Sequence, residues 1–169
     1  MGETYSRARE GDPEAQYAIS IMFAKGLGIP KSIPKAVYWC RKAAENGHAQ
    51  AQFNLGLMYR TGRGVRADYI EAAEWYLSAA KQGHAKAQHN LAFMYEQGKG
   101  VDQDYVTAAK WYFKAAEQGL PEAQLNLGIL YSKGLGVPRN YSLAVEWYRK
   151  AADQGNEQAE RKFIELFNA

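Results

Sequence analysis

A single cysteine, Cys40, is the sequence's only thiol, so an internal disulfide and a multi-cysteine zinc site are both excluded. No run approaches the roughly 18 consecutive apolar residues of a membrane span, so membrane insertion is not expected. Neither sign of charge dominates: 21 basic residues face 18 acidic ones, giving +3. That excess is mild and its sources are scattered, so a nucleic-acid partner is not expected. The first ten residues are charged and lack an apolar core, which does not read as a signal peptide. The expected location is soluble: cytoplasmic, or periplasmic or secreted where a leader has been removed. What is present, 47% hydrophobic and 23% charged residues in 169, describes a folded domain with a sizeable core.

The tryptophans give the organisation. Trp39, Trp75, Trp111 and Trp147 stand 36 residues apart, and Gly11, Gly47, Gly83, Gly119 and Gly155 keep the same step. Paired glycines do so too, at Gly26 and Gly28, Gly62 and Gly64, Gly98 and Gly100, and Gly134 and Gly136. A fixed period of this size means stacked supersecondary units. Each unit holds two helical patterns. Helix A places Ala51, Leu55 and Tyr59 on one face, with Ala15, Ile19 and Phe23, Ala87, Leu91 and Tyr95, and Ala123, Leu127 and Tyr131 as equivalents. Helix B runs from about Tyr69 to Gln82 and aligns Ala72, Trp75 or Tyr76, and Ala79.

Punctuation agrees. Ser32, Asp68, Asp104 and Asn140 precede helix B as N-caps, while Pro13 and Pro121 open helix A. Glycines end both helices. Small residues recur where helices approach: Ser20, Gly56, Ala92 and Gly128 on helix A, and alanine pairs such as Ala79-Ala80 on helix B. The tryptophans read as core wedges between helix pairs, and Cys40, in an aromatic register, as a buried thiol. The fold class is all-α, four 36-residue helix-turn-helix repeats in one domain over 1–169, at 12–47, 48–83, 84–119 and 120–155. A partial helix is expected over 3–10 and a polar-faced capping helix over 157–168.

Each unit resembles the Sel-one-like repeat, a relative of the tetratricopeptide repeat. The residues that carry this are Ala51-Gln52-Phe53-Asn54-Leu55-Gly56, Tyr59, Gly62-Arg63-Gly64-Val65, Asp68, Ala72, Trp75, Ala79-Ala80 and Gly83. The first unit departs most, with Ala18, Ile33 and Cys40 at signature positions. The resemblance implies a right-handed α/α superhelical solenoid and a protein-interaction scaffold, in bacteria often in envelope, secretion or signalling complexes. It does not identify a partner.

In such solenoids helix A lines the concave side. Opposite its repeated face lie positions that vary: Tyr17, Phe53, His89 and Leu125; Ile21, Leu57, Phe93 and Ile129; and a third set that includes Arg60. Exposed apolar residues in a groove point to a partner. The alternative is that curvature packs adjacent A helices and buries part of the stripe. Asn54, Asn90 and Asn126 at its edge either pair with an extended peptide's backbone or stitch neighbouring repeats. The turns after helix A hold Lys25, Lys31, Arg60, Arg63, Arg66, Lys99, Lys133 and Arg139 against four acids, a basic rim that is either solvated or steers an acidic partner.

Other chemistry finds little support. The Gly-x-Gly pairs follow helices rather than strands, unlike nucleotide loops. His48, His84 and His89 lack zinc-ligand spacing on one face, and read as interface or near-cap residues. Ser32–Lys35 and Ser78–Lys81 form Ser-x-x-Lys pairs, relevant because cysteine-rich relatives are linked to penicillin binding or hydrolysis, but the companion motifs are missing. The expectation is a monomeric, non-enzymatic scaffold without metal or cofactor that binds a protein or peptide through its concave face. The alternatives are an assembly subunit using its ends or convex face and, more remotely, a cell-wall or β-lactam hydrolase.

Overall fold

A computed structural model describes residues 2–167. Ten α-helices and no strand occur among the described residues: α1 Gly2–Arg9, α2 Pro13–Lys25, α3 Ile33–Glu45, α4 Ala49–Thr61, α5 Tyr69–Lys81, α6 Ala85–Gln97, α7 Tyr105–Glu117, α8 Pro121–Lys133, α9 Tyr141–Ala152 and α10 Glu157–Phe167. Even-numbered helices from α2 to α8 are the predicted A helices, and α3, α5, α7 and α9 the B helices. The predicted end of the last helix, Asn168, lies outside the described residues. The chain divides into two compact units, one ending at His84 and the other beginning at Ala85. Each unit is built by successive helices packing on the next in sequence.

Backbone chemistry explains the short connection from B to A. In the first unit Gly47 N–H donates to Ala44 O (3.0 Å) and His48 N–H to Ala43 O (2.9 Å), the Schellman pattern that satisfies the last helical carbonyls. The same pair recurs in the second unit, from Gly119 to Ala116 (3.0 Å) and Leu120 to Ala115 (3.2 Å). A left-handed residue is required, and Gly47 and Gly119 supply φ of 88° and 87°. The residue that closes one helix then caps the next: His48 Nδ1 accepts from Ala51 N–H at 3.1 Å. The longer turn from A to B closes on helix A's aromatic residue, with Asp68 N–H on Tyr59 O (3.0 Å) and Asn140 N–H on Tyr131 O (2.9 Å).

The N-cap expectations hold at Asp68, Asp104 and Asn140, whose side chains accept from Ile70 and Glu71, Val106 and Thr107, and Leu143 respectively. Ser32 occupies the N-cap of α3 but makes no side-chain capping bond. Pro34, at the second helical position, removes one of the two N–H groups such a cap uses.

The deepest wedges stand one residue beyond the tryptophans. Tyr76, Tyr112 and Tyr148 are fully buried, as is Cys40 in the same register, whereas Trp39, Trp75 and Trp111 are half-buried. Helix A meets each wedge with a small residue. A Cβ on Gly56 would stand 2.8 Å from the Tyr76 ring, and one on Gly128 2.6 Å from the Tyr148 ring. Where the wedge shrinks to Cys40, the opposing position is Ser20, and the buried thiol donates to Ala51 O at 3.5 Å.

A buried polar ladder runs through both units. Gln16, Gln52 and Gln124 donate from Nε2 to the carbonyls of Ala8, Ala44 and Ala116 in the preceding helix, at 3.0, 3.1 and 3.2 Å. Their Oε1 atoms accept from Asn46, Gln82 and Gln154 at 2.9, 2.8 and 2.9 Å. Gln88 accepts likewise from Gln118 at 2.8 Å. Gln16, Gln52 and Gln124 therefore each tie three successive helices with their buried amides paired. At the end of the second unit, α10 packs Ala159, Phe163 and Leu166 on a cluster containing Leu125 and Tyr148. Glu157, Glu160, Arg161 and Glu165 face outward from it.

Candidate functional site

The variable helix-A positions fall into two groups. One group is taken up in packing. Tyr17 stacks on His48, ring centroids 4.4 Å apart, and its hydroxyl accepts from Asn54 Nδ2 at 3.0 Å. Phe53 stacks on His84 at 4.6 Å. His89 leans on Tyr112 at 5.5 Å, its Nδ1 is buried without a hydrogen-bond partner, and burial holds its imidazole below the usual histidine range. Leu125 is buried among Ala144, Tyr148 and Ala151.

The other group stays accessible. In the first unit Ile21 and Leu57 are half-buried and Arg60 is exposed; in the second, Ile129 is half-buried and Phe93 is 40% exposed. Lys99 Nζ lies 5.9 Å from the Phe93 ring. Ile21, Leu57 and Asn54 are brought together at a cavity of about 290 Å³ in the first unit. Asn54 is also engaged structurally, since its Oδ1 accepts from Gln50 at 3.1 Å. Asn126 bonds the buried Tyr112 hydroxyl, which in turn donates to Glu96 at 2.7 Å. Asn90 is half-buried.

A family model of the Sel1 repeat matches residues 13–48, 49–84, 85–120 and 121–156, four adjoining copies. The chain belongs to the Sel1 repeat family. The borders of these Sel1 repeats fall one residue after those expected from the glycines, at the helix-A N-cap positions. Among solved structures, c5321, described as a protective antigen present in uropathogenic Escherichia coli strains displaying an SLR fold, is 40% identical with a TM-score of 0.87. The match covers 94% of this chain and 34% of that one. A Sel1 repeat protein from Oxalobacter formigenes is 38% identical with a TM-score of 0.88, over 94% of this chain and 65% of that one. Helicobacter pylori cysteine rich protein B is 26% identical with a TM-score of 0.60, over 76% of this chain and 92% of that one. This chain thus spans about a third of the first relative and 65% of the second. No curated protein matches it significantly.

Proteins built from Sel1 repeats generally mediate protein–protein interaction. Two features of these repeats escaped the sequence reading. The first is an apolar cavity of about 570 Å³ on the helix-B side of the second unit, between α7 and the turn after α8, lined by Val106, Trp111, Lys114, Tyr131 and Val137. The second is the Tyr112–Glu96–Asn126 cluster, whose members lie on three helices and share no local motif. In the two Ser-x-x-Lys pairs, Ser78 Oγ donates to Glu74 O at 3.0 Å within its own helix, and Lys35 Nζ lies 5.3 Å from the Phe23 ring. Among the described residues no helix is long and apolar enough to cross a membrane.

Proposed function

We propose that the chain is a non-enzymatic interaction scaffold whose A helices present side chains to a peptide segment or a folded protein partner. One observation carries the reading. The repeat-invariant positions are consumed by the glutamine ladder, the wedges and the caps, while Ile21 and Leu57 in one unit and Phe93 and Ile129 in the other remain accessible apolar groups at one register of helix A. Apolar anchors of this kind contribute most of the energy of a typical interface. Asn54, Asn90, Asn126 and Arg60 flank this register, and the packed side chains of Tyr17, Phe53, His89 and Leu125 support it from behind. The chain is taken to act as a monomer.

The test is affinity capture from native-host extract, comparing the wild type with Leu57→Glu and Phe93→Glu. The expected result is a partner retained by the wild type and depleted about tenfold or more by either variant, with helicity unchanged in circular dichroism. Equal retention by folded variants would overturn the helix-A assignment. A second reading, use of the helix-B side, is favoured by the 570 Å³ cavity and by exposed Val106 and Phe113 beside it. It predicts that Val106→Glu, not Phe93→Glu, releases the partner.

A further inference from the structure

The first repeat lacks a side chain that the later repeats possess, and its absence leaves a shaped space. In the second unit, Tyr148 passes close against Gly128 and its hydroxyl reaches Ser132 Oγ, one helical turn further along α8, at 3.3 Å. Tyr112 crosses α6 the same way, from Ala92 to Glu96, and the Asn126 side chain of the following repeat meets its hydroxyl. Stepping back by the repeat length, the corresponding residues of the first repeat are Cys40 for the tyrosine, Ser20 and Ala24 on α2, and Asn54 on the next A helix. The Cys40 side chain is short, and its thiol donates to Ala51 O at 3.5 Å. The stretch from Ser20 to Ala24 is therefore not covered by a ring. Here lies the 290 Å³ cavity, lined by Ser20, Ile21, Ala24, Asn54 and Leu57 among others.

Its chemistry is specific. A volume near 300 Å³ is at the lower edge for small-molecule sites, the size for one ring and its flanking atoms. Asn54 uses one Nδ2–H on the Tyr17 hydroxyl and its Oδ1 on Gln50. Its second Nδ2–H remains to donate to a phenol oxygen, as Asn126 does to Tyr112. Among the described residues of the lining, Lys25 and Arg63 carry charge and none is acidic. They set a positive edge next to an apolar slot, which favours a carboxylate close to the ring.

We propose that this cavity receives a tyrosine side chain of a partner polypeptide, flanked by an acidic residue, in the place of the ring that Cys40 lacks. The proposal rests on the helix-A reading and supplies the chemistry of the partner at the first two repeats.

The probe is 3-(4-hydroxyphenyl)propionate, a phenol joined to a carboxylate, titrated into the full chain and followed by amide NMR shifts. Saturable shifts at Ser20, Ala24, Asn54 and Leu57 are expected in the millimolar range, with 3-phenylpropionate binding about threefold or more weakly. The variant Ser20→Gly/Cys40→Tyr recreates the Gly128–Tyr148 pairing, so it is expected to fold and to lose binding at least about tenfold because its own ring fills the slot. Arg63→Ala, at an exposed turn, keeps the core intact whatever the double variant does, and is expected to weaken binding about threefold. No saturable shift at these amides, or unchanged binding in either variant, would overturn the proposal. A flat titration together with partner capture that still fails on Phe93→Glu, which lies outside the cavity, would overturn the slot and leave the helix-A reading standing. Binding at the slot with capture insensitive to Phe93→Glu would support the slot and confine the helix-A contacts to the first unit.

Discussion

Gln124 shows how a polar residue supports a core. It is 5% exposed, donates to Ala116 O and accepts from Gln154, so Gln124→Leu deletes two hydrogen bonds, while Ala116 O keeps the Gly119 N–H and the exposed Gln154 amide keeps Lys150 O. A hydrogen bond of this kind contributes about 0.5–1.5 kcal/mol net, and for the two together we expect a loss of about 2 kcal/mol in chemical denaturation, while Gln154→Ala at the exposed end costs less than about 1 kcal/mol. A Gln124→Leu protein as stable as the wild type would refute the ladder. Gly136 makes a second case: φ is 68°, and a Cβ would collide with the Tyr105 carbonyl oxygen, a backbone atom. Gly136→Ala is expected to lower stability by at least about 1–3 kcal/mol, measured the same way, because both strain and a backbone clash must be absorbed. The sequence makes the recurring glutamine visible but not its partner, which lies 30 residues on. Likewise the adjacent Trp and Tyr of helix B differ by about 100° of helical rotation, and periodicity alone leaves open which is the wedge.

Helix ends give the next set of outcomes. Asn140 caps α9 through Leu143 N–H at 3.0 Å, whereas Ser32 makes no such bond. Asn140→Ala should therefore cost about 1 kcal/mol and Ser32→Ala a few tenths at most, a contrast that thermal or denaturant unfolding resolves. Equal losses would contradict the capping geometry. Asp104 adds a pH dependence. The Thr107 hydroxyl, with the N–H groups of Thr107 and Val106, holds its carboxylate below the usual range. The stability this contributes is present above the unfolded value near pH 4 and is lost as pH falls through the folded one. Asp104→Asn should lose less stability than the wild type between about pH 5 and pH 3, read from unfolding midpoints. Capping residues and helix-ending glycines act within a few positions of themselves, which is why the helices were legible within a residue or two. The missing bond at Ser32 follows from Pro34, also local and legible in principle.

For the whole molecule, the period and the all-α class follow from strictly repeated residues, and four adjoining Sel1 repeats agree with them. The candidate surface was legible only in part. Of the variable residues, Tyr17 and Phe53 are taken up by His48 and His84, and contacts between residues 31 apart carry no local signal. The slot beside Cys40 was hidden for a related reason: the sequence shows a missing aromatic, and only the course of Tyr112 and Tyr148 shows what space it leaves. The central claim is that partners are held by the A helices. Its most direct test is hydrogen exchange of the chain alone and with its captured partner. The account predicts slowed exchange in α2, α4, α6 or α8, centred on the turns of helix bearing Ile21, Leu57, Phe93 and Ile129. Protection confined to α3, α5, α7 and α9, with the A helices unchanged, would contradict it.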